Sequence, residues 1–274
     1  MKRLIVGPWS GEFGWELFAW QAYIRTLAKE YDHTTIISRP ASEPLYADFC
    51  DRFVEFTPSG GLADAFFMHG FDPKTVLRGI IQDNGITLGT GATLFLPRRL
   101  GFPPHTHYEQ LLIIGEHVIK PEYVRYGSPD DRLYDFVFHI RSRRLREEDN
   151  WSIENWQSLR DMFPDKKIAC MGTKEESGWI EGTADLRNAP LGELFNVLHN
   201  AECAFGPSSG PMHLASLCGL PHVVWSIPAN KIRYEENWNP LTTPVLFDST
   251  ADWHPTPEYV YTKFKEWQSS GDTE

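Results

Sequence analysis

Between Tyr134 and Trp225, short apolar runs alternate with stretches of helical periodicity, and this alternation constrains the fold more than any other feature of the chain. Tyr134–Ile140 reads as a strand of strong β propensity, and Ser152 is a natural N-cap for a helix over Ile153–Phe163. A strand at Lys167–Met171 ends at Gly172, a helix follows over Leu191–Asn200, and Cys203–Phe205 forms the next strand. Pro211–Cys218 is a short helix stopped by Gly219, and His222–Trp225 is a further strand. Strands joined through helices pair in parallel, so the segment belongs to the α/β class.

The first third repeats the pattern once. Arg3–Gly7 is a short buried strand, followed by a loop through Ser10–Gly14. Leu17, Trp20, Ile24, Leu27 and Ala28 place a helix over Trp15–Lys29, and Thr34–Ser38 is a strand closed by Pro40. From Pro58 to Pro129 the chain carries Gly60, Gly61, Gly89, Gly91, Pro97, Pro103 and Pro104. It reads as loop-rich with short helices, a composition suited to recognition. A boundary near Gly127–Asp130 gives two α/β domains, 1–129 and 130–274, and Pro257–Gln268 reads as a terminal helix.

Composition narrows the class. Of 274 residues 41% are hydrophobic and 23% charged, and no apolar run reaches the ~18 residues of a membrane span, so a soluble protein is expected. Pro8, Trp9 and Glu12 cut the N-terminal apolar stretch too short for a signal peptide, which with unpaired Cys50, Cys170, Cys203 and Cys218 implies a cytoplasmic protein with reduced thiols. A net charge of −11 opposes long-range attraction to nucleic acid or anionic membranes.

Three constellations carry chemistry. In Phe205–Ala215 a strand enters a small-residue turn and a helix begins at once; backbone N–H groups at such a start attract an anion. Gly210 admits a pyrophosphate close to the backbone, Ser208 and Ser209 cap the helix or donate to phosphate, and Pro211, Met212 and His213 form its first turn. The plain alternative is a capped helix. Second, Arg141 follows His139 at the carboxyl end of a strand, and its planar fork suits a diphosphate. Third, the loop after the first strand holds Glu12 between Gly11 and Gly14, with Glu16 a turn further on. There is no Asp-x-Asp metal signature, His105-Thr106-His107 lacks partner ligands, and no Gly-x-Gly-x-x-Gly follows a strand.

The stretch Ser208–Pro221 resembles the donor-binding signature of glycosyltransferase family 9, the ADP-heptose lipopolysaccharide heptosyltransferases, and Asn150–Leu159 looks like that family's Trp-Pro helix. Ser208 stands where the family usually has Asp, and Asn150 where a basic residue often stands, so the resemblance does not specify the donor. His139-x-Arg141 is similar to the nodulation and core fucosyltransferases, in which the Arg contacts donor phosphates. The resemblance implies a GT-B fold: two Rossmann-like domains facing across a cleft, with the C-terminal helix packing back on the first. It implies a metal-independent, inverting glycosyltransferase using a nucleotide-diphosphate sugar and no cofactor. The donor would lie on Ser208–His213 and Arg141, with Gly172, Thr173 and Lys174 lining the nucleotide side. Glu12 would be the base with Glu16 as rival. The acceptor implied is a glycan or glycolipid, with a hydroxymethylated DNA base the alternative that Arg98-Arg99 and the Arg141–Arg146 cluster would serve. Competing readings are a nucleotide-sugar 2-epimerase, whose acidic grip on the nucleotide is missing from Met212-His213-Leu214, and a non-catalytic binding protein of the same fold.

Overall fold

The computed structural model describes residues 1–9, 11–57, 73–89, 91–97, 112–114 and 117–271. Gly60-Gly61, Arg98-Arg99, Pro103-Pro104 and His105-Thr106-His107 lie outside the described residues. The chain divides into two compact units, Met1–Tyr123 and Val124–Glu274.

In the first unit β1 (Arg3–Val6) leads through α1 (Phe13–Ala19) and α2 (Gln21–Ala28) to β2 (His33–Ser38) and β3 (Arg52–Glu55). Helix α3 (Pro73–Asp83) then precedes β4 (Ala92–Phe95). These strands form a parallel sheet in the order β3-β2-β1-β4. Its core is Ile5, Ile37, Val54, Leu77 and Ile86. A separate antiparallel pair, β5 (Leu112–Ile114) and β6 (His117–Ile119), completes the unit. The single helix expected over Trp15–Lys29 is two helices. Trp20 leaves the helical region at φ −131, ψ −71, and its ring stacks with Trp9 at 5.2 Å and Phe95 at 5.5 Å. Tertiary stacking of a large ring overrides one residue's helix preference here. The exit from β1 is equally fixed. Gly7 sits at φ +112, where a Cβ would lie 2.2 Å from the Ile37 carbonyl oxygen, so glycine is required.

The second unit runs β7 (Phe136–Phe138), α4 (Ile153–Asp161), β8 (Ile168–Gly172), β9 (Ala184–Arg187), α5 (Leu191–Asn200) and β10 (Cys203–Pro207). Next come α6 (Gly210–Cys218), β11 (His222–Trp225), β12 (Val245–Asp248) and α7 (Pro257–Gly271). All six strands are parallel, in the order β12-β11-β10-β7-β8-β9. The chain builds outward from β7 to β9, then returns to the other flank of β7 with β10. Between β7 and β10 the strand order therefore reverses, and ligands of open α/β sheets bind outside the carboxyl ends at such a point. The first unit has the corresponding reversal between β1 and β4.

Aromatic rings fill the second core: Phe136, Phe138, Trp151, Trp156, Phe205 and Trp225 are all buried. Helix α7 buries Val260 and Phe264 in this core, with the Phe264 ring 4.9 Å from that of Phe205. Among the described residues no helix is long and apolar enough to cross a membrane. All four cysteines are unbridged, and burial pushes their thiols up.

Candidate functional site

At the reversal of the second sheet, β7 delivers Arg141 and β10 delivers Ser208. Arg141 is buried, whereas Arg144 and Arg146 of the same loop are exposed. Its Nη1 donates to the Ser208 carbonyl at 3.4 Å and its Nη2 to Asp149 Oδ2 at 3.4 Å. The guanidinium carbon lies 5.0 Å from the centre of the Trp253 ring. Asn150, where a basic residue might have stood, pins the loop instead: its side chain exchanges two hydrogen bonds with the Arg143 backbone.

Helix α6 begins just after Ser208, whose carbonyl accepts from this cation. Gly206 allows the close approach, since a Cβ there would fall 2.7 Å from the Met212 sulfur. Ser209 is the N-cap: its Oγ accepts from the Met212 N–H at 3.5 Å, and its carbonyl accepts from the His213 N–H. Pro211 has no N–H to offer. The Ser209 N–H donates to Tyr234 Oη at 3.0 Å, and Ser208 Oγ lies 3.3 Å from the same hydroxyl. These contacts leave Gly210 as the first-turn amide they do not engage, a smaller set of donors than the sequence suggested. The Met212 side chain is fully buried and contributes packing.

The His213 ring is buried, stacked on Tyr234 at 4.1 Å and 14°, with Trp238 edge-on at 4.7 Å. Burial pushes its pKa well below 6.5, so the imidazole is neutral. Tyr234 and Trp253, which also touch the site, were not read from the sequence. The only hint was the four-residue spacing of Tyr234 and Trp238.

At the end of neighbouring β8, Gly172 turns the chain at φ +130, where a Cβ would sit 2.0 Å from Ser177 Oγ. Thr173 Oγ1 accepts from the Glu176 N–H, and the Lys174 N–H donates to Asn188 Oδ1 while its side chain is exposed. His139, beneath this turn, is held near pKa 4 by burial, with its Nδ1 3.2 Å from the Met171 carbonyl.

In the first unit, Glu12 is the N-cap residue of α1 and is half-buried; its side chain makes no capping bond, and its carbonyl accepts the Glu16 N–H at 3.1 Å. Gly11 and Gly14 are buried, and Gly14 lies within the first turn of α1, where it contributes small size rather than an unusual turn. Glu16 is fully buried and far more engaged than a first-turn acid facing a helix dipole. Oε1 accepts from Ser38 Oγ at 2.5 Å and Tyr46 Oη at 2.8 Å. Oε2 accepts from Arg39 Nη2 at 2.6 Å and Ser42 Oγ at 2.9 Å. A carboxylate offers about four lone-pair positions, and here all are taken. The carboxylate in turn raises the Tyr46 phenol, already pushed up by burial.

No family model matches the chain, and no curated protein does. Solved structures do match. Escherichia coli ADP-heptose LPS heptosyltransferase II superposes at TM-score 0.60 with 11% identity, covering 100% of both chains. A family 9 glycosyl transferase from Veillonella parvula gives 0.61 at 13% identity over 97% of this chain and 96% of that one. E. coli heptosyltransferase WaaC with ADP gives 0.59 at 13% identity over 97% and 99%. Identities this low speak to architecture, and the architecture is that of the GT-B glycosyltransferases: two α/β units, each built on a parallel sheet.

Proposed function

We propose that this chain is a metal-independent, inverting glycosyltransferase that moves a sugar from a nucleoside-diphosphate sugar to a hydroxyl of a glycan or lipid-linked glycan. One observation carries the reading. In a chain of GT-B fold, a buried arginine and a serine-capped helix start share the β7/β10 reversal. Arg141 and the α6 start hold the diphosphate, with Ser208–Ser209 around it and Gly172–Lys174 on the nucleotide side. Glu12 accepts the proton of the acceptor hydroxyl as that oxygen attacks the anomeric carbon. The carbon–oxygen bond to the diphosphate breaks on the opposite face, and the charge that leaves is met by Arg141 and the helix dipole. A permanently charged guanidinium supplies there what a divalent cation supplies in metal-dependent transferases. Glu16, its lone pairs occupied, shapes the α1 start instead of taking a proton.

The test is a panel of nucleotide sugars, ADP sugars first because WaaC is solved with ADP. A donor at 100 times its Kd should stabilise the fold by about 2.7 kcal/mol. With a glycan or glycolipid acceptor, mass spectrometry should then show a glycosylated product and free nucleoside diphosphate in equal amounts. Conversion of the donor to its epimer without an acceptor would replace this reading with an epimerase. Stabilisation by no member of the panel would overturn it.

A further inference from the structure

The chain leaving β12 at the edge of the second sheet does not stay there. By Trp253 it has reached the residues that follow β7, three strands away, so it traverses the carboxyl edge of the sheet. Two hydrogen bonds fasten it on arrival. His254 Nε2 donates to the Glu148 carbonyl at 2.8 Å, and Trp151 Nε1 donates to the Pro255 carbonyl at 2.8 Å. Immediately before these two fastenings the Trp253 ring lies against the Arg141 guanidinium, with Asp149 on one amino group and the Ser208 carbonyl near the other. An arginine side chain has many rotamers, and ordering it for a diphosphate costs entropy. An aromatic face fixes the plane of the fork and leaves its edge, where the N–H groups point, available to an anion.

We propose that Trp253 is a positioning residue for the anion site: the strap from β12 to β7 holds the Arg141 fork in the plane that receives the donor's diphosphate. The inference rests on Arg141 binding that diphosphate, and it adds a specific device that neither the sequence signature nor the strand order implies. Because Trp253 acts through Arg141, its loss has an effect only while Arg141 is present.

The experiment titrates ADP, GDP, UDP and inorganic pyrophosphate into the full chain by calorimetry, then repeats the best binder with four variants. Trp253→Leu should weaken binding about five- to thirty-fold, the range an indole–guanidinium contact commands. Trp253→Phe, which keeps an aromatic face, should restore most of that loss. Arg141→Ala should weaken binding at least as much as Trp253→Leu, and the double variant should be no weaker than Arg141→Ala alone. Near-UV circular dichroism of each variant reports on the fold separately from affinity, and Trp253→Phe tests the idea even if Trp253→Leu is poorly folded. Unchanged affinity in Trp253→Leu, no rescue by phenylalanine, or additive losses in the double variant would overturn the positioning role. Unchanged affinity in Arg141→Ala, or no binding by any probe to the wild-type chain, would instead overturn the donor-site reading beneath it and the proposal with it.

Discussion

The two sheets place opposite charges at the same topological position. Each is built outward from its first strand and then returns to that strand's other flank, and each first strand leads into a buried ionic group. After β1 that group is the Glu16 carboxylate, surrounded by Ser38, Arg39, Ser42 and Tyr46. After β7 it is the Arg141 guanidinium, set among Asp149, the Ser208 carbonyl and the Trp253 ring. The hydrogen bonds differ as well. Those to Glu16 run from 2.5 to 2.9 Å, the lengths of charge-assisted bonds. Those from Arg141 to Ser208 and Asp149 are both 3.4 Å. On the proposed function the two ends do different work: a saturated acid that stabilises the α1 start next to Glu12, and a cation that receives the diphosphate.

The largest expected effect tests the first half of that contrast. Removing one partner of a buried ion pair strands the other, so Glu16→Ala should lower unfolding free energy by about 3–5 kcal/mol in denaturant titration. A loss below 1 kcal/mol would mean the network is not what fixes α1. Acidification comes next and falls on the second unit, where His139 and His222 are held near pKa 4 by burial, and burial lowers His213 well below its ordinary value too. Unfolded, each has a pKa near 6.5, so below that the unfolded chain binds more protons and stability is lost as pH falls from 6.5 to about 4. The full shift is worth about 3 kcal/mol for each of His139 and His222. Melting temperatures across that range should decline steeply, and a flat profile would contradict neutral burial.

Arg141→Ala is a smaller change with a different readout. It should cost about 1.5–3 kcal/mol of diphosphate binding in calorimetry, the range for hydrogen bonds to charged groups, and Glu16→Gln should leave that affinity alone. Equal effects of both variants on binding would erase the distinction between the two ends. Smallest is the helix cap: Ser209→Ala should destabilise the fold by about 1 kcal/mol, and any larger loss of diphosphate affinity would assign Ser209 Oγ to the ligand as well as to α6.

Which strands the sequence revealed follows from burial. Each interior strand of the two parallel sheets (β1 and β2; β7, β8, β10 and β11) was legible as an apolar run, because interior strands are covered on both faces. The edge strands β3, β4, β9 and β12 were missed. They are mostly half-exposed, and β12 is half-buried along its whole length. Local capping was equally legible: Ser152 does accept from the Asn155 N–H, and Gly219 ends α6 at φ +73. Arg141 could be found because strand ends are where ligands bind, a rule that needs only local reading. Tyr234 and Trp253 could not, since each meets the site through contacts between residues far apart in sequence. The same holds for Trp20, whose break in the helix comes from rings contributed by β4 and the loop after β1.

The most direct test of the division of labour is the kinetics of Glu12→Gln with the donor identified by the panel. The change keeps the shape of the side chain and removes its capacity to accept a proton. Sugar transfer should fall by about 10²–10⁴-fold in kcat while diphosphate affinity, measured on the same protein, stays at the wild-type value. Full transfer activity in Glu12→Gln would contradict the account, and a loss of diphosphate binding in place of kcat would move Glu12 from chemistry to the donor.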